Sequence, residues 1–316
     1  MAACSAGRST SGARPAISVL GSANVDLVTR VARMPRPGET VRGIELCQYP
    51  GGKGANQAVA ASRLDAAVAF FGKVGADGFG DELLDALRAD GVDVAGVERA
   101  DGVATGTASI WVDAAGENAI ACVAGANGAV DGAYVERTLD RLAAADVVLV
   151  QFEIPIAAVS RLLERLPRGR PLVVLDPAPA GDVFALPLER VDVLTPNETE
   201  LEALTGLADP ERAARHLLER GVGLVVLKEG ARGATAYGDE TVHVAAFDVC
   251  VVDTTAAGDA FTAALAVALG EWPLRQALHF ANAAGALATT QPGAQPSLPT
   301  RDAVEALLGR SLRRKP

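Results

Sequence analysis

The stretch Asp253-Thr254-Thr255-Ala256-Ala257-Gly258-Asp259-Ala260-Phe261 separates two segments of opposite character. Val244 to Val252 before it is rich in Val and Ala and reads as a strand. Ala260 to Leu269 after it is apolar and free of Pro and Gly, and Gly270 stops it in the manner of a helix C-terminus. Small side chains between strand and helix let an anion reach the backbone, and the free N–H groups of a helix start favour negative charge. Asp259 closes that cradle, although a carboxylate repels phosphate. It is either an N-cap on a tight turn or a base that takes a proton from an attacking hydroxyl. The stretch alone does not separate the two readings.

Working outward, Val147-Val148-Leu149-Val150, Leu172-Val173-Val174-Leu175, Val191-Asp192-Val193-Leu194 and Leu224-Val225-Val226-Leu227 are near-continuous apolar runs. Such runs suit a parallel sheet covered on both faces. Each ends in a polar or Gly/Pro segment, respectively at Gln151, Asp176, Thr195 and Lys228. Ligands of open α/β sheets bind at the carboxyl ends of strands, so these segments should gather along one edge with Asp259.

Toward the N-terminus, Ile17 to Leu20 reads as a strand and Gly21 to Asp26 as a polar turn. Gly51 to Ala58 feeds a helix reaching about Leu64, Ala67 to Gly72 is a buried strand, and a helix runs to about Ala89. Ala108 to Val112 and Asn118 to Val123 form a hairpin signal that interrupts the βα rhythm. The expected organisation is a flexible tail over 1–16 and one sheet domain over 17–316. A small β insertion would come from residues 28–48 and 107–123.

Composition narrows the function classes. The 316 residues are 49% hydrophobic and 22% charged, enough for a sizeable core. A net charge of −10 argues against gripping a nucleic acid backbone, and no apolar run is long enough to suggest a membrane span. Cys4, Cys47, Cys122 and Cys250 form no C-x-x-C pair, which favours free thiols and a cytoplasmic setting. His216, His243 and His279 are equally dispersed, with no H-E-x-x-H zinc motif. The glycine clusters lack both the P-loop and the G-x-G-x-x-G spacing. Asn24, Asp26, Lys53, Asn56 and Glu153 mix short-range donors and acceptors, which suits a small polyhydroxylated ligand.

Several motifs occur in order from about residue 17 to 305: Asn24-x-Asp26, Gly51-Gly52-Lys53-Gly54-Ala55-Asn56-Gln57-Ala58, Gly75-x-Asp77-x-x-Gly80, Thr195-Pro196-Asn197-Glu198-Thr199-Glu200, Asp253 to Asp259, and Gly293-Ala294-Gln295-Pro296-Ser297. Together they resemble the ribokinase family of carbohydrate kinases, and 51–58 and 293–297 resemble its ribose-phosphorylating members most. The resemblance implies an α/β three-layer sandwich with a mostly parallel central sheet and a small β-sheet lid. It implies ATP-dependent phosphorylation of D-ribose at the 5-hydroxyl, with magnesium, a potassium-type activator and a homodimer formed through the lid.

By the same resemblance, Asn24, Asp26, Gly52, Lys53, Gly54, Asn56 and Glu153 match sugar-binding positions. Asp259 matches the catalytic base, and Ala256, Ala257 and Gly258 the anion hole. Asn197, Lys228, Gly230, Gly233, Gly258 and Asn282 match nucleotide contacts, with Glu200 ordering magnesium and phosphate. Asp253, Thr255, Ala288, Gln291, Gly293 and Ser297 match a monovalent-cation site. Two positions depart from the pattern: Lys228 stands where Thr often begins the nucleotide loop, and Gln291 where Arg is common. Deoxyribose, fructose and adenosine are the alternative acceptors, and a non-catalytic sugar sensor is the alternative from another class.

Overall fold

The apolar runs form the middle of a nine-stranded sheet in the computed structural model, which describes residues 14–269 and 271–313. In chain order the strands are β1 (Ala16–Leu20), β2 (Asn24–Val31), β3 (Gly43–Gly51), β4 (Ala67–Gly75), β5 (Asp93–Ala100), β6 (Gly106–Val112) and β7 (Asn118–Val123). They continue as β8 (Val147–Gln151), β9 (Leu172–Asp176), β10 (Val193–Leu194), β11 (Leu224–Lys228), β12 (Ala234–Tyr237) and β13 (Thr241–Val244). The helices are α1 (Lys53–Arg63), α2 (Gly78–Ala89), α3 (Gly132–Ala143), α4 (Ile156–Arg165), α5 (Glu198–Thr205), α6 (Pro210–Glu219), α7 (Ala257–Leu269), α8 (Leu274–Ala288) and α9 (Arg301–Arg313).

The large sheet has the order β13-β12-β11-β10-β9-β8-β1-β4-β5. It is parallel from β11 to β5, and β12 and β13 close one edge antiparallel. Alternate strand residues divide between two cores, as the two-residue period of a strand requires. Ile17, Val147, Leu149, Val174 and Val226 pack with α1, α2, α7 and α8. Leu20, Val148, Val150, Leu175 and Val225 pack with α3 to α6 on the opposite face. The result is the expected three-layer α/β sandwich. Helix α7 is buried from Asp259 to Ala268, as expected of a helix apolar on nearly all sides.

A second sheet of order β3-β2-β6-β7 springs from the carboxyl edge of the first. Only Gly21-Ser22-Ala23 separates β1 from β2, and the row Gly51–Asn24–Gly106 forms the root of the small sheet. Asp26 lies two residues further out, paired with Tyr49 and Ala108. Strand β7 is exposed along its length.

Several expectations need correction. Asn24 to Asp26 is strand, not turn, because it pairs on both sides. Val244 to Val252 is not a strand beyond Val244. The Asn282 side chain donates to the carbonyls of Val244 and Ala245 and ends the ladder there. Val251 and Val252 are each 60% exposed. Helix α7 begins at Ala257 rather than Ala260, which places Asp259 inside its first turn and not at its cap. Ala16 already belongs to β1, and the rest of the expected tail up to residue 13, with Gly270, lies outside the described residues. Strands β5, β12 and β13 were not anticipated. Among the described residues no helix is long and apolar enough to cross a membrane.

Candidate active site

Two glycines bring α1 against the loop after β1. Gly52 caps the helix at φ +87°, and a Cβ there would lie 2.8 Å from the Asn24 nitrogen. A Cβ on Gly54 would lie 2.6 Å from the Ser22 nitrogen. These two expected sugar-site residues therefore act by permitting close backbone approach. Lys53, Asn56 and Gln57 then share one helical face.

That face meets the first turn of α7. Asn56 Nδ2 donates to Asp259 Oδ2 at 2.9 Å, and Gln57 Nε2 donates to Asp259 Oδ1 at 3.1 Å. Asp259 is only 5% exposed. Burial raises its pKa and the Asp176 charge adds to the rise, while Lys53 and the two amides oppose it. Burial disfavours the charge of Lys53, but Asp259, Asp176, Glu153 and Glu200 outweigh that and favour the ammonium. Asp26 is pushed up to about 7 by burial, then by the charges of Glu153 and Asp259. Four carboxylates, Asp259, Asp176, Glu153 and Glu200, thus act on one ammonium.

Glu153 anchors the opposite wall. Its Oε2 accepts from Ser22 Oγ at 2.6 Å, Lys53 N at 3.0 Å and Asn24 Nδ2 at 3.5 Å. Asn24 Oδ1 in turn accepts from Asn127 Nδ2 at 2.7 Å, so the Asn24 amide is engaged by protein at both ends. The structure brings Asp26, Lys53, Asn56, Glu153 and Asp259 together, with Asn24 behind them. Ser22 and Asn127 were missed. Nothing in their local sequence distinguishes them from solvated loop residues.

At the cradle, Ala256 adopts φ +59°, the left-handed region that is sparsely used without glycine. This bends the chain into α7, whose first amides lack partners within the helix. Lys228 stands across from it, its Nζ 3.5 Å from where a side chain on Gly258 would begin. The same ammonium donates to Asp176 Oδ1 at 2.9 Å.

The expected nucleotide residues fall into two groups. Asn197 and Glu200 form a reciprocal capping box on α5, with both bonds 2.8 Å. Asn197 bridges Lys228, whose backbone N–H donates to Pro196 O at 2.8 Å. Gly230 and Gly233 both have positive φ, and a Cβ on Gly233 would lie 2.1 Å from Val244 O. Asn282 holds the same Val244 carbonyl from α8. The 230–233 turn and Asn282 therefore flank the irregular 245–252 segment.

Asp253 ties two loops together. Its Oδ1 accepts from Thr255 N at 2.9 Å and Thr255 Oγ1 at 2.7 Å, and its Oδ2 from Gly293 N at 2.9 Å. Burial raises the Asp253 pKa, but these bonds outweigh it and the net shift is downward. The residue that would ordinarily donate to the Ala288 carbonyl is Pro292, which has no N–H. The Ser297 hydroxyl donates to Ala294 O at 2.8 Å, and Gln291 is exposed. Asp253, Thr255 and Gly293 are brought together, whereas the Gln291 side chain faces solvent.

The pfkB family carbohydrate kinase model matches residues 14–301. The chain belongs to the pfkB family of carbohydrate kinases. Ribokinase from Bacillus subtilis (strain 168) is 40% identical over 294 residues, covering 92% of this chain and 99% of the relative. A deoxyribokinase from Salmonella typhi is 36% identical over 296 residues, covering 90% and 95%. The structure of Arabidopsis thaliana ribokinase complexed with ribose and ATP superposes with a TM-score of 0.88. Its identity is 33%, over 94% of this chain and 99% of that one. This pfkB family member is thus a carbohydrate kinase whose resemblance to ribokinases extends over most of its length.

Proposed function

We propose that this kinase transfers the γ-phosphoryl group of ATP to the 5-hydroxyl of D-ribose, with Asp259 as general base. The observation that carries the mechanism is a buried carboxylate with raised proton affinity in the first turn of α7, beside the Ala256–Gly258 cradle. Asn56 Oδ1 is buried without a partner among the described residues, so an acceptor stands next to the base. An acceptor-rich pocket of this kind fits a ligand that donates hydroxyl hydrogens.

Asp26, Lys53, Asn56 and Glu153 hold the sugar, and Asp259 takes the proton of the attacking hydroxyl as the bond to phosphorus forms. General-base help is worth about 10²- to 10⁴-fold. The amides following Ala256 receive the negative charge of the phosphoryl oxygens, aided by Lys228. Asn197, Gly230, Gly233 and Asn282 frame the nucleotide, and the small sheet acts as a lid that excludes water.

Glu200 keeps Oε1 outside its capping bond, which fits a magnesium ion held mainly by phosphates and water. Magnesium bound with ATP would neutralise charge on the phosphates. The Asp253 carboxylate and the Ala288 carbonyl suit a hard monovalent cation such as potassium, with Thr255, Gln291, Gly293 and Ser297 lining that loop. Ile44, Leu46, Ile120 and Val123 are 55–70% exposed on the small sheet, which supports a homodimer formed through the lid. Free Cys47, Cys122 and Cys250 support a cytoplasmic setting.

Deoxyribose is the second candidate acceptor, since a deoxyribokinase is 36% identical. A coupled assay of ATP turnover with ribose, 2-deoxyribose, fructose and adenosine tests the assignment. Ribose should give the highest kcat/KM. A preference for any other acceptor would replace it.

A further inference from the structure

Behind the proposed base lies a buried polar network that direct contact with sugar or nucleotide does not explain. Gln57 Nε2 stands 3.1 Å from Asp259 Oδ1 and 2.9 Å from Asp176 Oδ2, so one amide group gives a hydrogen to each of two carboxylates. The opposite end of that amide, Oε1, accepts from Gln151 Nε2 at 2.6 Å. Ionised carboxylates offer no hydrogen to an amide oxygen, so the surroundings fix the amide's orientation. Gln57 and Gln151 are fully buried and Asp176 is 1% exposed.

The network continues to the cradle. Asp176 Oδ1 holds Lys228 Nζ at 2.9 Å, and that ammonium adjoins Gly258. Four elements, β11, β9, α1 and α7, thus contribute one side chain each to a continuous path. A buried ion pair adds little net stability over well-packed apolar residues, so stability alone is a poor account of this one.

Building on the function proposed above, we propose that Gln57 and Asp176 are positioning residues that couple the Lys228 ammonium at the anion cradle to the carboxylate of Asp259. Gln57 and Asn56 pin one Asp259 oxygen each and so fix the plane of the base. Asp176, balanced by Lys228, keeps the shared amide between the two carboxylates. An incoming triphosphate competes for the same ammonium, and Asp176 then bears more strongly on Asp259 and raises its proton affinity as the phosphoryl group arrives. The charged groups facing Asp259 are Lys53 from α1, Asp176 from β9 and, across the sugar pocket, Asp26 from β2.

The test compares the full-length wild type with Gln57→Met, Lys228→Met and the double variant Lys228→Met/Asp176→Asn. Thermal unfolding is recorded, and kcat and KM are measured from acid to alkaline pH. Gln57→Met should lower kcat about 10- to 100-fold while both KM values stay within about threefold. Its acid limb should move to higher pH, because two buried carboxylates lose their shared donor. Lys228→Met should move the acid limb the same way. The double variant should bring it back, with the KM for ATP still raised. A Gln57→Met enzyme with wild-type kcat overturns the proposal. Acid limbs that superpose in Lys228→Met and the double variant overturn it too, and that comparison decides if Gln57→Met does not fold. Ribose turnover by the wild type checks the function separately. If another sugar proves to be the acceptor, the same variants are compared on that sugar.

Discussion

Asn56 and Asp259 are 203 positions apart in sequence, yet the Asn56 amide nitrogen lies 2.9 Å from Asp259 Oδ2. The bond joins the first turn of α1 to the first turn of α7, so the helix that carries Lys53 and the helix that carries Asp259 are tied directly at that carboxylate. Asn56→Leu removes that donor and the unpartnered acceptor Oδ1 together. It should lower kcat about tenfold and raise the KM for ribose by a similar factor, with the KM for ATP little changed. Steady-state kinetics against each substrate checks the split.

Asp26 should make both stability and sugar affinity depend on pH near neutrality. Its carboxyl titrates at about 7 in the folded chain, against an ordinary 3.8. A raised value means a stabilising contribution that is fully present below the unfolded pKa and lost as pH rises through about 7. At ~1.4 kcal/mol per unit the loss is bounded at about 4 kcal/mol. Asp26→Asn should therefore melt above wild type at pH 8, and the difference should shrink by pH 5. In the wild type the KM for ribose should fall between pH 6 and 8 as the better acceptor forms. In Asp26→Asn it should stay flat.

The β6–β7 turn should be dispensable for folding and needed for function. Strand β7 is exposed throughout, and the Asp113–Gly116 turn at its start contributes nothing to either core. Deleting the β6–β7 turn should raise the KM for ribose at least tenfold, by about the factor expected when substrate positioning is lost. It should also increase ATP hydrolysis without sugar and leave the melting temperature within a few degrees. Calorimetry alongside both assays separates a lid from a structural element.

Removing the proposed activator should slow the enzyme without changing what it binds. Asp253 joins the Thr255 turn to Gly293, directly before the cradle. Replacing potassium by tetramethylammonium at fixed ionic strength, after dialysis, should lower kcat several-fold. Asp253→Ala should abolish the response to potassium. Rates indifferent to the exchange would mean that Asp253 only fastens the two loops.

What sequence reasoning found and missed follows from the kind of signal each feature carries. The strands of the central sheet are runs of Val and Leu buried on two faces, which few other contexts produce. Strand β5 carries Asp93, Gly96, Glu98 and Arg99 at one sheet edge, and β12 and β13 are four residues each at the other. Edge strands such as β5 and β13 need no apolar run, and β12, paired on both sides, has only the short segment Ala234-Thr235-Ala236-Tyr237, so composition hides all three. Val251 and Val252 look like core and lie at the surface, because the ladder ends at Val244. The site followed the same logic: Asp259, Lys53 and Asn56 sit in glycine-marked motifs. The partnership of Gln57 with Asp176 depends on how α1 crosses the end of β9, which no local pattern encodes.

The central claim, that Asp259 takes the proton from ribose during transfer from ATP, is tested most directly by phosphorus NMR of the product. Wild type and Asp259→Asn would be compared at matched enzyme concentration, with ribose affinity measured in parallel by calorimetry. The amide keeps the shape of the carboxylate but cannot accept the proton. Wild type should convert ribose and ATP to ribose 5-phosphate. Asp259→Asn should be slower by about 10² or more while binding ribose within a few-fold of wild type. A variant that forms ribose 5-phosphate at near wild-type rate, or a wild type that forms none, would contradict the account.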